Sequence, residues 1–180
     1  MKIRNIMALI VTLSLFLGAP AFAKETVRYG FDEPRFTALY DDIVNWLGIN
    51  TRYSIKEVGH PEMRFVDKEF LKNMICRDKG IETSECTLNV RAAYDKGVMW
   101  VGLGFDPMLV EEDKITFVHE LVHHLQEQSP TKVSFACMQH IEHEAYKTEL
   151  LYAKEFGLND ETNPIFVKLL SLPCRSPIDK

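Results

Sequence analysis

Five residues constrain this chain more than any others: His119-Glu120-Leu121-Val122-His123, set within the run 114–128. On an α-helix, residues four apart stack on one face, so the imidazoles of His119 and His123 can grip one metal ion with Glu120 beside it. Two neutral nitrogens suit Zn²⁺, and the intervening carboxylate is placed to take a proton from a water as that water attacks a carbonyl. Such spacing also arises by chance on ordinary helices. Here Ile115, Phe117, Val118, Leu121, Val122 and Leu125 surround the helix with apolar groups, so it is expected to be buried. Two buried imidazoles need partners, and a metal supplies them.

The chain begins with Lys2 and Arg4, an apolar run over 6–17, and Ala21-Phe22-Ala23, the pattern of a secretory signal cleaved after Ala23. That run falls short of the roughly 20 residues a membrane span needs, so no stable span is expected once residues 1–23 are removed. Residues 24–180 are then expected to form one domain, periplasmic or secreted, with length enough for a single core. Losing the two positive charges of Lys2 and Arg4 takes the formal charge from −5 to −7. With no stripe of Lys and Arg, nucleic acid is disfavoured as a partner. An even count of four cysteines in an oxidising compartment favours disulfides. The expected pairs are Cys76 with Cys86, closing a polar loop, and Cys137 with Cys174, tying the tail to a helix. No feature of the chain specifies an oligomeric state.

The periodicity predicts an amphipathic helix over 32–47 ending at Gly48, short strands over 53–58 and 63–66, and a helix from an Asp67 cap to about residue 75. Residues 87–94 and 98–103 flank Asp95-Lys96-Gly97 and read as a hairpin. The helix 114–128 resembles the metal helix of zincin folds, in which a preceding strand forms the rim of the cleft and offers a free edge to an extended peptide; that likeness makes 98–103 the expected rim. His60 reads as a loop or surface histidine. After Ser129-Pro130 a second long helix is expected over 133–156, with Gly157 just past its end, and a last helix over 164–170 with Asn163 as cap.

That second helix offers His140, Glu142, His143 and Glu144 as a third ligand. With Glu142 at the centre of a helical wheel, Phe135, Met138, Ala145, Tyr146, Ala153 and Phe156 all lie within about 60° of it. A carboxylate in an apolar stripe requires a positive partner, a metal or a buried Arg or Lys. Glu142 is therefore preferred. Glu144 follows, on a face with His140, Lys147, Thr148 and Glu155 that reads as solvated, and His140 or His143 come last. His124, about 140° from His119, reads as a surface residue or a support rather than a ligand.

The two motifs together, His-Glu-Leu-Val-His at 119–123 and Glu142-His143-Glu144-Ala145-Tyr146, resemble those of short gluzincin-like metallopeptidases such as the HtpX and ImmA/IrrE groups. The likeness is greatest to small exported bacterial members with Tyr in the last position. It implies an α+β, zincin-like fold, His119, His123 and Glu142 as ligands of Zn²⁺, Glu120 as general base, and hydrolysis of peptide bonds in the cell envelope. Tyr146 stands where an Asp or Asn often ends the second motif. Its hydroxyl is expected either to support a ligand, to bind a developing oxyanion, or simply to pack in the core. The competing functional expectation is a non-catalytic, metal-stabilised scaffold that binds or inhibits another protein.

Overall fold

In the computed structural model, residues 34–78, 82 and 90–174 are described. The expected signal segment 1–23 and Cys86, hence the expected Cys76–Cys86 pair, lie outside the described residues. The fold is α+β: α1 (Pro34–Asn50), β1 (Glu62–Val66), α2 (Lys68–Asp78), β2 (Ala92–Asp95), β3 (Val98–Gly102), α3 (Glu111–Gln128), α4 (Met138–Phe156) and α5 (Pro164–Leu170).

The sheet has the order β1-β3-β2, with β1 parallel and β2 antiparallel to β3. Lys96 and Gly97, at φ 48° and 81°, make the two-residue turn between β2 and β3, the left-handed pair that matches strand twist. Alternation along β3 sends Met99 and Val101 into the main core and Trp100 to the other face. There Trp100 packs with Val66, Ala93 and Leu71 of α2.

α3 runs through the centre of the molecule. Phe117, Val118, Leu121, Val122 and Leu125 are all fully buried, each worth about 1.5–3 kcal/mol of apolar burial. Its start is charged to suit the helix dipole, with Glu111, Glu112 and Asp113 in the first turn. Asp113 is itself buried, paired with Arg91 and accepting from the Asp106 amide at 2.8 Å. This ties the strand leading into β2 to the helix that follows β3. Tyr40, Ile43 and Leu47 of α1 belong to the same core.

Several expectations are corrected. Residues 53–58 form no strand. α4 starts at Met138 rather than 133, because Cys137 is extended and caps it. α1 runs through Gly48 to Asn50; a Cβ at Gly48 would lie 3.0 Å from the Ile55 side chain, so this glycine permits close approach rather than ending the helix. Most consequential, β3 is the central strand and not the rim: among the described residues β1 and β2 are the outer strands, and β2 is the one that lies against α3. The Asp67 cap, the left-handed Gly157 (φ 66°) and the Asn163-Pro164 start of α5 stand where the sequence puts them.

Candidate metal centre

His119 and His123 project from one face of α3, as their spacing requires, and their Nε2 atoms lie 3.1 Å apart. From α4, Glu142 brings Oε2 to 3.5 Å from His119 Nε2 and 3.6 Å from His123 Nε2. The remaining α4 candidates are engaged elsewhere. Glu144 pairs with Arg52 at 2.9 Å and accepts from the Tyr53 hydroxyl. His140 donates from Nε2 to the Leu172 carbonyl at 3.0 Å. His143 lies outside the group of facing ligand atoms.

The opposite side of each imidazole determines what those facing atoms are. His119 Nδ1 lies 2.7 Å from Oε2 of Glu149, and His123 Nδ1 lies 2.7 Å from Oε1 of Gln126. The amide nitrogen of Gln126 is committed to the Ile141 carbonyl at 3.0 Å, which orients its oxygen toward His123. Both partners present acceptors, so both Nδ1 atoms must carry the proton. Each neutral ring then turns a lone pair inward at Nε2, toward the other ring and toward a carboxylate oxygen. Three electron-rich atoms converging in this way repel one another unless a cation or a proton lies among them. Their separations are close to the roughly 3.3 Å edge of a tetrahedron with metal–ligand bonds near 2.0–2.1 Å. The donor set therefore fits Zn²⁺.

Without a metal, a proton meets the same need. Burial opposes a charge on His119, but hydrogen bonds to Glu142 and Glu149 prevail and push it up to about 10. Burial likewise opposes charge on Glu142, yet the two imidazoles hold its carboxyl well below the usual range. Glu120 is buried beside the group, and burial raises its carboxyl above the ordinary value against the pull of the two histidines. A backbone hydrogen bond from Tyr94, on the outer strand β2, reaches it.

Glu142 points toward the two histidines but lies less deep than the centre of an apolar stripe. The buried side of α4 is Ala145, Thr148, Glu149, Tyr152 and Ala153, with Met138 and Phe156 exposed. That stripe is centred about 50° from Glu142 at 100° per residue. Glu142 stands on its margin, and its side chain is 35% exposed. Thr148, expected on the solvated face, is buried, and Glu144 lies in a polar cluster between α4 and residues 52–53.

Sequence reasoning missed Glu149 altogether. It follows Glu142 by seven residues, two turns of helix, and its wheel position lies about 20° away, so the spacing alone carries a signal that could have found it. Of the roles expected of Tyr146, packing is the one its contacts display: it lies edge-on against His119 with ring centroids 4.4 Å apart, and Phe166 of α5 backs it at 5.4 Å. Burial raises its hydroxyl, helped by Glu142, Glu149 and Glu120. His124 is a support for the fold: it is buried, and its Nε2 donates to the Gly59 carbonyl at 2.7 Å. His60 sits in a loop, edge-on to Tyr40.

The His119, His123 and Glu142 group opens into a cleft lined by β2, the first turn of α3, the 133–142 stretch and residues 159–162. Cys137 and Cys174 are bonded, with Cα atoms 6.1 Å apart, so the segment carrying α5 is fastened to the start of α4. No helix among the described residues is long and apolar enough to cross a membrane. No curated protein and no solved structure matches the chain. The family described as Domain of unknown function (DUF6647) matches residues 33–177, well over half of the chain, and the protein belongs to that family.

Proposed function

We propose that this chain is a zinc-dependent hydrolase of peptide bonds, acting in the bacterial cell envelope. The observation that supports this most is the convergence of two Nε2 lone pairs and the Glu142 carboxylate at the mouth of a cleft, with Glu120 buried next to them. Zinc held by His119, His123 and Glu142 would polarise a scissile carbonyl and bring the pKa of water toward about 7.

The chain's own residues supply the rest. Glu120, its carboxyl raised by burial, is the proton acceptor, and it returns the proton to the leaving amine. Asp95 and Val98 flank the hairpin turn as a pair, so the backbone groups of Tyr94 and Ala92 point away from β3. Ala92 and the Tyr94 carbonyl thus offer hydrogen bonds along the cleft to an extended peptide, while the Tyr94 amide holds Glu120. Tyr146 keeps the His119 ring in plane by packing, and its hydroxyl faces the same acidic surroundings. Export is supported by the signal pattern at 1–23 and by the Cys137–Cys174 bond, which persists in oxidising compartments.

The test is digestion of a broad peptide library by zinc-loaded protein, with and without chelator. The wild-type chain should give chelator-sensitive products, and Glu120→Gln should retain zinc while losing about 10²–10⁴ in turnover. Zinc-loaded wild-type protein that cuts nothing would instead favour the non-catalytic scaffold.

A further inference from the structure

Glu144 stands apart from the three facing ligand atoms, but it touches the amide behind one of them. Gln126 Nε2 donates to the Ile141 carbonyl at 3.0 Å and to Glu144 Oε2 at 3.3 Å, while Oε1 of the same amide accepts from His123 Nδ1 at 2.7 Å. Each amide hydrogen thus has one acceptor. The orientation of this amide has a chemical consequence. Turned over, it would set its oxygen against a carbonyl and a carboxylate, and its NH₂ against His123 Nδ1. The ring would then have to carry its proton on Nε2, the atom that faces His119 and Glu142, and no lone pair would remain there for a metal.

The carboxylate that enforces this orientation is itself fixed, from the segment that follows α1. Arg52 Nε pairs with Glu144 Oε1 at 2.9 Å, and the hydroxyl of Tyr53, a residue only 2% exposed, donates to Oε2. Burial, and then the hydrogen bond to Glu144, push the Tyr53 hydroxyl up, so it stays protonated and donating. Arg52 also lies over the ring of Phe135, a residue that lines the metal cleft, at 5.2 Å. With Arg52 meeting its charge, Glu144 acts on Gln126 as a well-placed acceptor.

We infer that Glu144 is a positioning residue for the metal centre: held by Arg52 and Tyr53, it locks the Gln126 amide so that His123 keeps its proton on Nδ1 and its Nε2 free for zinc. This rests on the zinc reading of the site and is independent of whether peptides are cut. It joins three elements distant in the chain, the segment after α1, α3 and α4, at the outer ligand.

The test is zinc affinity by chelator competition on wild type, Glu144→Ala, Glu144→Gln, Gln126→Ala and the double variant Gln126→Ala with Glu144→Ala. Glu144→Ala should weaken zinc by about three- to fivefold, and Glu144→Gln, which still offers an oxygen to the amide, should recover part of that loss. The deciding comparison is the double variant. Without the amide Glu144 has nothing to orient, so the double variant should bind zinc as Gln126→Ala does, whereas a role in the fold alone would subtract the same amount in both backgrounds. Tyr53→Phe keeps the ring and removes only the hydroxyl; it should show a smaller loss that also disappears in the Gln126→Ala background, and it serves if Glu144→Ala does not fold. Wild-type affinity in Glu144→Ala and Tyr53→Phe, or losses that add in the Gln126→Ala background, would overturn the inference and leave the zinc site standing. A wild-type chain that binds no zinc would overturn both.

Discussion

The two imidazoles of the site are held in the same way by different chemistry. His119, at the inner end, donates to a carboxylate that is 4% exposed, whereas His123, nearer the surface, donates to the neutral amide of Gln126. The inner carboxylate is itself secured: the Thr162 hydroxyl donates to Glu149 Oε1 at 2.7 Å, so both oxygens are occupied. A charged acceptor strengthens the basicity of the ring it holds and stabilises positive charge there; a neutral one only fixes orientation. The inner ring is thus the electrostatic anchor of the site, and the outer ring completes the geometry.

The largest effect expected from this difference is on the fold itself. Either His119→Ala or His123→Ala should abolish stoichiometric zinc binding. In the metal-free state, however, His119→Ala leaves Glu149 buried without its main partner and should cost about 3–5 kcal/mol. His123→Ala leaves only an amide oxygen and should cost about 1–2 kcal/mol. Urea unfolding of both apo variants measures the gap, and equal losses would break the distinction.

Next comes pH. His119 in the metal-free protein is raised from 6.5 to about 10, so its contribution to stability is complete below about pH 6.5 and is lost as pH climbs through 10. The urea midpoint of the apo protein should fall over that window, and zinc, whose ligands need no proton, should reverse the trend. A midpoint that rises between pH 7 and 10 without metal would contradict the assignment.

Smaller effects sharpen the comparison further. Glu149→Gln keeps a hydrogen-bond acceptor but removes the charge, and should weaken zinc affinity by about 10–100-fold in a competition titration. Gln126→Ala should weaken it by less than about tenfold, since no charge is lost. Thr162→Val removes one hydrogen bond to Glu149, worth about 1 kcal/mol, and should give the smallest loss of the set. Should Gln126→Ala prove the more damaging of the first two, the outer ring would be the anchor.

The position of the cleft relative to the sheet shows how far local pattern can go. A hairpin is readable from Asp95-Lys96-Gly97, because the backbone conformation at the turn is set by the residues in it. Which of its strands is left outermost is not, because β1 chooses β3 through contacts across more than thirty residues of chain. The same holds for Glu144 and Glu142, two positions apart on one helix. Periodicity separates their faces, but only the packing of α4 against α3 brings one to the histidines and leaves the other with Arg52.

By itself, the sequence determined what is local: an i, i+4 pair of imidazoles on a helix surrounded by apolar residues, the caps at Asp67 and Asn163, the turn at Lys96-Gly97, and the direction in which Glu142 points. The tertiary structure decided which polar atoms fall within hydrogen-bonding distance across elements. Glu149 and Gln126 behind the two rings, Thr162 behind Glu149, and the outer place of β2 all depend on how helices and strands dock. Helical geometry repeats every few residues and can be read from a window of that length. Docking is set by the summed burial of side chains far apart in the chain, and no such window contains it.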